Sequence, residues 1–155
     1  MNPENITRLF DFAYYQHAKY PRAHAFATKH NGHWQSLSSA LYLEQANYLS
    51  RALLHLGVKP NDKIAVISST NRNEWNVLDI AILQIGAQNV PMYPTISVKD
   101  YEYIFNHAEV SYCFLSDKEL FKKAKKASKK TETLKDIYSF EEIKDCKNWQ
   151  ELIDL

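Results

Sequence analysis

The sequence contains little glycine, and its glycines do not cluster. The three glycines in 155 residues are Gly32, Gly57 and Gly86. A phosphate-binding loop needs closely spaced glycines, because only then can the backbone approach the phosphates. The polar segment 68–73 lies between a short apolar run and a helical pattern, a position where an anion could bind. We expect this segment to supply helix caps and turn residues instead, from Ser69, Thr70, Asn71 and Asn73.

Cysteine is equally scarce, and the histidines form no metal-binding pattern. Cys113 and Cys146 lie far apart and match neither a metal nor a redox spacing, which favours reduced thiols and an intracellular protein. His30 and His33 flank the turn pair Asn31-Gly32, so they should face each other across a β-hairpin. Two imidazoles are too few for zinc, which takes three or four protein ligands. We therefore predict no metal site.

Long apolar runs and an excess of charge are also missing. The apolar runs Ile64–Ile67 and Ile80–Leu83 are far shorter than the ~20 residues of a membrane span. The chain does not open on a basic segment followed by an apolar one, so we expect no signal peptide and a cytoplasmic location. With 19 basic and 18 acidic residues, the net charge of +1 gives no basis for long-range attraction to nucleic acid.

One segment departs from this charge balance. Six lysines lie between Lys122 and Lys130. At helical spacing, Leu120, Ala124 and Ala127 fall on one side and the lysines elsewhere, so a solvated helix face is the favoured interpretation. Weak peripheral contact with an anionic lipid surface, or with nucleic acid, is the alternative.

In its composition and in its alternation of predicted strands and helices, the sequence otherwise resembles a single α/β domain. Hydrophobic residues make up 45% and charged residues 24%, as in soluble globular proteins. Short apolar runs alternate with amphipathic segments, which predicts a mostly parallel sheet joined by helices and preceded by a small β-hairpin. The predicted strands are Lys63–Ser68, Gln88–Met92, Tyr112–Leu115 and a fourth beginning at Ile137-Tyr138. The predicted helices are Ile6–Lys19, one with an apolar stripe from Tyr42 to Leu56, Asn73–Ile85, Ser97–His107, Lys118–Ser128 and Trp149–Leu155.

Two helix starts and one helix end carry their own signals. Ser36 or Ser38 is placed to cap the second helix, and Gly57 follows it as a terminator. Ser97 with Asp100 three residues later matches a capping box.

Three stretches resemble one protein family. Leu53–Val66, with a Leu-Gly-Val helix end, a turn holding Asp62 and a buried strand, resembles the early segment of the acyl-CoA synthetase family of AMP-forming ligases. Residues 71–75, Asn-Arg-Asn-Glu-Trp, are similar to the family's Asn-x-x-Glu-Trp helix start. Ile85–Thr95 is similar to its Gly-Ala-x-x-Val-Pro-Leu-Tyr-Pro-Thr strand and turn. The pieces occur in the family's order, and the Tyr-Pro-Thr ending looks most like the long-chain fatty acid branch.

The resemblance implies an enzyme that uses ATP and Mg²⁺ to convert a fatty acid into an acyl-adenylate and passes the acyl group to CoA. It implies that residues 1–155 are the first lobe of the family's large N-terminal domain. The family's Ser/Thr/Gly-rich loop with its Lys, its Tyr-Gly-x-Thr-Glu stretch, its hinge Asp and its late catalytic Lys have no counterpart here. We therefore expect no catalytic, cofactor-binding or metal-binding residue, and no binding of ATP, Mg²⁺ or CoA by this fragment alone.

Two alternatives remain open. The same fold serves ligases of other carboxylates, such as bile acids, aryl acids or amino acids, and the family's substrate pockets lie mostly downstream. A free-standing flavodoxin-like binding module is the alternative from a different class. If the lobe normally packs against a second lobe, its uncovered apolar surface should make the isolated chain self-associate.

Overall fold

A computed structural model describes residues 6–30 and 32–154 of the chain. Its helices are α1 Asp11–Lys19, α2 Ser39–His55, α3 Asn73–Gln84, α4 Val98–His107, α5 Lys118–Ser128 and α6 Gln150–Ile153. Its strands are β1 Phe26–His30, β2 His33–Leu37, β3 Lys63–Ile67, β4 Gln88–Met92, β5 Val110–Leu115, β6 Asp136–Ser139 and β7 Lys147–Asn148. None of the helices in these two ranges is both long and apolar enough to cross a membrane.

The described strands form a parallel sheet and a separate antiparallel hairpin. The sheet has the order β4-β3-β5-β6-β7, and β1 pairs with β2. Ile64 and Val66 of β3 pack into a cluster with α2, α3 and α6, whereas Ala65 and Ile67 pack with α4 and α5. Both faces are covered because the crossovers between parallel strands place helices on them. The predicted fold class is confirmed.

The capping signals predicted for α2 and α4 are also confirmed. The Ser38 hydroxyl accepts a hydrogen bond from the backbone N–H of Leu41 at 3.1 Å, at the start of α2. Gly57 follows the end of that helix with φ of +81°, a conformation that favours glycine. Ser97 and Asp100 form the reciprocal bonds of a capping box at α4.

The first helix begins later than predicted, at Asp11 and not at Ile6. The Asp11 carboxylate accepts hydrogen bonds from the backbone N–H groups of Thr7 and Arg8, at 3.3 and 3.0 Å. The Arg8 guanidinium also contacts it, at 2.8 Å. These bonds hold the residues before Asp11 in a turn, so the apolar pattern starting at Ile6 overestimated the helix.

The C-terminal elements differ from the prediction in two ways. β7 was not predicted, because Lys147–Asn148 has no apolar pattern and is a strand only through its pairing with β6. The predicted helix Trp149–Leu155 is reduced to α6, and Leu155 lies outside the described residues. The backbone N–H of Trp149 donates to the carbonyl of Ser139 at 3.0 Å, so Trp149 still pairs with the sheet and the helix begins after it.

Candidate functional site

The carboxyl ends of the parallel strands lie at one edge of the sheet, where the winding direction changes. β3 leads through α3 to β4 on one side, and β4 leads back through α4 to β5 on the other side. α3 packs on one face of the sheet and α4 on the opposite face. Open α/β sheets bind ligands outside the carboxyl ends of their strands at such a point. The segments at this edge are 68–72 after β3, 93–97 after β4 and 116–117 after β5.

A cleft of about 660 Å³ opens over the ends of β3 and β4. This volume is in the range of small-molecule sites, roughly 300–1,000 Å³. Its apolar lining consists of Phe26, Val66, Trp75, Pro91, Met92, Tyr93 and Pro94. Its polar lining consists of Ser68, Thr70, Asn71, Arg72 and Asn76. Arg72 is the one charged residue among the described residues that line it, so the cleft offers packing and hydrogen bonds and no acid–base pair.

The hairpin caps the helix beside the cleft. Thr28 of β1 is buried, and its Oγ1 accepts a hydrogen bond from the backbone N–H of Asn73 at 2.7 Å. Arg72 occupies the N-cap position of α3 without a side-chain cap bond. The cap oxygen of α3 therefore comes from a residue 45 positions earlier in the chain.

This arrangement corrects the caps predicted for segment 68–73. None of the described hydrogen bonds lets Ser69, Thr70, Asn71 or Asn73 cap α3, so the prediction that they serve as caps is wrong. The segment does form the predicted turn, in which the Ser68 hydroxyl donates to the Thr70 carbonyl at 2.6 Å.

Arg72 is the buried member of an ion-pair cluster at the edge of the cleft. Its side chain is 5% exposed, and its Nη2 lies 2.7 Å from Oε1 of Glu74. Its Nη1 donates to Oε1 of Glu141 at 3.0 Å and to the carbonyl of Ser116 at 3.3 Å. The guanidinium carbon lies 5.6 Å from the ring centre of Phe140. Arg72 thus joins α3 to the loops that follow β5 and β6.

The charges of this cluster are already satisfied. Burial lowers the pKa of the Arg72 guanidinium, but the hydrogen bonds and charges of Glu74 and Glu141 outweigh burial, and the pKa lies above its usual value. Because the carboxylates of Glu74 and Glu141 both contact the guanidinium, Arg72 holds the surrounding loops together and does not present a free cation to a ligand. Sequence reasoning missed this cluster, since Arg72 and Glu141 are 69 positions apart.

A second polar cluster joins the ends of β3 and β5. The Ser69 and Ser116 hydroxyls both donate to the Asp117 carboxylate, the latter at 2.7 Å. Asp117 also caps α5 by accepting from the N–H groups of Glu119 and Leu120 at 3.0 and 3.1 Å. Burial alone would raise the pKa of Asp117, but these hydrogen bonds hold it below its usual value. A fixed carboxylate repels phosphate, so this point of the edge does not fit an anion.

The turn after β4 is held by a lysine from α5. The Lys123 Nζ donates to the carbonyls of Pro94 and Ile96 at 2.8 and 3.3 Å and lies 5.9 Å from the ring centre of Tyr101. The Tyr101 hydroxyl donates to the carbonyl of Tyr93 at 3.4 Å. Lys123 is therefore an exception to the solvated lysine face predicted for α5. Lys123 stabilises the Tyr-Pro-Thr turn through these hydrogen bonds.

The histidine pair lies where the hairpin predicted it. His30 and His33 are direct partners in the register of β1 and β2, while Asn31 of the predicted turn is outside the described residues. The His30 imidazole lies 4.0 Å from the Glu74 carboxylate. Within residues 6–30 and 32–154, no group of three or more His, Cys, Asp or Glu is placed to hold a metal ion.

Comparison with protein families identifies a match over nearly the whole chain. The family described as AMP-binding enzyme matches residues 14–153. Fatty acyl-CoA synthetase B of Dictyostelium discoideum is 32% identical over 112 residues, which are 72% of this chain and 16% of that protein. Long-chain-fatty-acid–CoA ligase FadD15 of Mycobacterium tuberculosis is 33% identical over 84 residues, 54% of this chain and 14% of that protein. The chain thus spans about one sixth or less of the length of these relatives.

Solved structures share the fold at lower identity. A putative long-chain-fatty-acid CoA ligase from Rhodopseudomonas palustris has a TM-score of 0.83 at 21% identity, covering 94% of this chain and 36% of that one. The anthranilate CoA ligase AuaEII, solved with anthranoyl-AMP, has a TM-score of 0.80 at 18% identity, covering 96% of this chain and 27% of that one.

Proposed function

Because the chain belongs to the AMP-binding enzyme family, we propose that it is the first lobe of the large N-terminal domain of an ATP-dependent long-chain fatty acid–CoA ligase. The family match over residues 14–153 carries the proposal. The fatty acid branch is supported by relatives at 32–33% identity, a fatty acyl-CoA synthetase and a long-chain-fatty-acid–CoA ligase. Since these residues span a small part of those relatives, the activity is proposed for a longer protein of which they are a part.

The proposed reaction has two steps. A carboxylate oxygen of the fatty acid attacks the α-phosphorus of ATP, forming an acyl-adenylate and expelling pyrophosphate. The CoA sulfur then attacks the acyl carbonyl carbon, so that the thiol loses its proton, the thioester forms and AMP leaves. Mg²⁺ would neutralise charge on the phosphates of ATP.

The described residues do not fit the phosphates or Mg²⁺. Gly32, Gly57 and Gly86 lie in separate turns, so no glycine-rich loop can cradle a phosphate. The polar groups at the sheet edge include the carboxylates of Asp117 and Glu141, and the buried Arg72 guanidinium is already paired with Glu74 and Glu141. We therefore propose that ATP, Mg²⁺ and CoA bind outside residues 6–154, and we assign no reaction step to this chain.

Two alternatives bear on the substrate and the class. The strand order β4-β3-β5-β6-β7 is that of flavodoxin-like sheets, so the topology by itself also fits a free-standing binding module. The family match favours the ligase. A ligase of another carboxylate remains the second candidate, and the solved aryl acid ligases share the fold without deciding the substrate.

The test is an acyl-CoA formation assay on the full product of the gene. Palmitate, benzoate, a bile acid and an amino acid are offered in parallel with Mg-ATP and CoA, and acyl-CoA, AMP and pyrophosphate are measured. We expect palmitoyl-CoA with equal amounts of AMP and pyrophosphate, and no product from the 155-residue chain. Preferred use of another acid would reassign the substrate. A full product that ends at Leu155, or that never forms an acyl-CoA, would refute the ligase.

We also propose a cytoplasmic location. Cys113 is buried and Cys146 is half-buried, and neither forms a disulfide. Burial raises the pKa of both thiols, which keeps them protonated and unreactive. Unpaired thiols support a reducing compartment. Fractionation of cells that carry a tagged full product is the test.

A further inference from the structure

One segment of the chain carries a large excess of positive charge. Residues 118–135 hold eight lysines and two glutamates, a net charge of +6. The whole chain has a net charge of +1, so the remaining residues carry −5. The positive charge of this segment and the negative charge of the other residues nearly cancel in the net charge of the chain. The net charge alone therefore gave no indication of a charged partner.

Four lysines of α5 and Lys129, which directly follows the helix, form a single outward stripe. Lys118, Lys122, Lys125, Lys126 and Lys129 are exposed and recur at steps of three and four. The opposite side of the helix, with Leu120, Phe121, Ala124 and Ala127, is buried. α5 has 11 residues, so the stripe extends over roughly 16 Å. We name these five lysines the lysine stripe.

The stripe is only partly neutralised by the chain itself. Lys122 lies 2.6 Å from Glu119, and that pair is exposed on both sides. Among the described residues, Lys118, Lys125, Lys126 and Lys129 have no carboxylate within ion-pair distance. Solvent-exposed pairs contribute little, so the Lys122 pair does not remove the field of the stripe.

An exposed aromatic side chain lies on the neighbouring helix. α4 packs beside α5, and Tyr103 of α4 is 64% exposed. Its ring stacks on His107 with 5.4 Å between ring centres. Both residues line one shallow depression together with Lys99, Asn106 and the ion pair of Lys130 with Glu102, which lie 3.4 Å apart. Lysines that flank an exposed tyrosine suit the headgroup level of a bilayer, where amphipathic aromatic rings collect.

We propose that the lysine stripe, together with Tyr103 of the adjacent helix α4, is a docking surface for the anionic face of a lipid bilayer. Charge complementarity selects the partner, since each lysine close to such a surface strengthens binding by about fivefold. The choice of a bilayer over other polyanions rests on the proposed function, because long-chain fatty acids partition into membranes. Lys123 is not part of this surface, since its ammonium group is bound to the turn after β4.

Vesicle co-sedimentation of the 155-residue chain tests the surface directly. The vesicles are phosphatidylcholine alone and an equimolar mixture of phosphatidylcholine and phosphatidylserine. The first variant changes Lys122, Lys125, Lys126 and Lys129 to Gln. The matched control changes Lys19, Lys29, Lys59 and Lys144, all exposed and outside the stripe, to Gln. Both variants lower the net charge from +1 to −3, so only the position of the charge differs. Circular dichroism confirms that each remains folded.

We expect the unmodified chain and the control to bind the phosphatidylserine vesicles and not the neutral ones, with binding that weakens as NaCl is added. The stripe variant should lose up to roughly 600-fold in partition coefficient, the product of four fivefold factors. A loss below tenfold, an equal loss in the control, or equal binding to neutral vesicles overturns the proposal. So does binding to a DNA duplex without binding to vesicles. The assay contains no ATP or CoA, so its failure leaves the ligase proposal intact, and failed acyl-CoA formation leaves the vesicle result intact.

Discussion

Replacing Arg72 with methionine tests how the carboxyl edge of the sheet is held together. The substitution keeps an apolar stem near Phe140 and removes the bonds to Glu74, Glu141 and the Ser116 carbonyl. Removing one member of a buried ion pair costs about 3–5 kcal/mol, because the remaining charge is left without a partner. The Glu74 side chain is 16% exposed and that of Glu141 is 53% exposed. Since Glu141 can regain water, we expect a loss near the lower limit, about 3 kcal/mol.

Urea unfolding followed by circular dichroism and by tryptophan fluorescence, to which the buried Trp149 contributes, measures this loss. With a slope of about 2 kcal/mol per M, the midpoint should fall by about 1.5 M. Adding Glu74→Gln to Arg72→Met should recover about 1 kcal/mol, because a neutral amide is less costly to bury than an unpaired carboxylate. The matched control is Lys122→Met, which breaks a pair with Glu119 whose two side chains are 59% and 76% exposed, and it should leave the midpoint almost unchanged.

Two results would refute the reasoning. A loss in Arg72→Met no larger than that in Lys122→Met would mean that the cluster contributes no more than a surface pair. A further loss on adding Glu74→Gln would mean that the stranded carboxylate is not the source of the cost.

Four further predictions follow from single features. Asp117→Ala should cost about 1 kcal/mol at neutral pH as a lost cap. The pKa of Asp117 is lowered in the folded state. The ionised carboxylate therefore stabilises the fold above the unfolded pKa, and this stabilisation is lost as pH falls through the folded pKa. The stability difference between the unmodified chain and Asp117→Ala, measured by urea unfolding, should shrink below about pH 4. Gly86→Ala should cost about 1–2 kcal/mol in thermal or urea unfolding, because φ is +74° and the new Cβ would lie 3.4 Å from Cβ of Pro60. Calorimetric titration of the chain with Mg-ATP should give no saturable isotherm, and a one-site isotherm would contradict the absence of a phosphate site. Because α2 exposes Leu41, Tyr48 and Leu54, the chain should self-associate, and light scattering should show a particle mass that rises with concentration. A constant monomer mass would contradict this expectation.

The elements that could be predicted are those whose signals are local. α5 runs from Lys118 to Ser128 as predicted, because its apolar stripe and lysines repeat at helical spacing within the segment itself. The four apolar residues of β3 are buried as a strand covered on both faces requires. In each case a few neighbouring residues contain all the information that defines the element.

The features that could not be predicted depend on residues far apart in the chain. The cap of α3 comes from Thr28, and the partner of Arg72 is Glu141. In the sequence, the residues next to Thr28 and Glu141 do not distinguish either of them from the other polar residues of the chain. β7 is of the same kind, since it is a strand only because β6 lies beside it. Local pattern therefore identified the polar segment 68–73 after β3, but the contacts that hold this segment required the three-dimensional arrangement.

The hydrogen bond from Asn73 to Thr28 limits how the chain can change in length. Along β1, Thr28 is buried between exposed Ala27 and Lys29, so a one-residue insertion or deletion within the strand would turn Thr28 outward. α3 would then lose its cap, and Phe26 would leave both the cleft and its contact with Tyr42, whose ring centre lies 4.8 Å away. Residues added between β1 and β2 leave that alternation intact. Related chains should accordingly tolerate gaps at the tip of the hairpin and exclude them from its first strand.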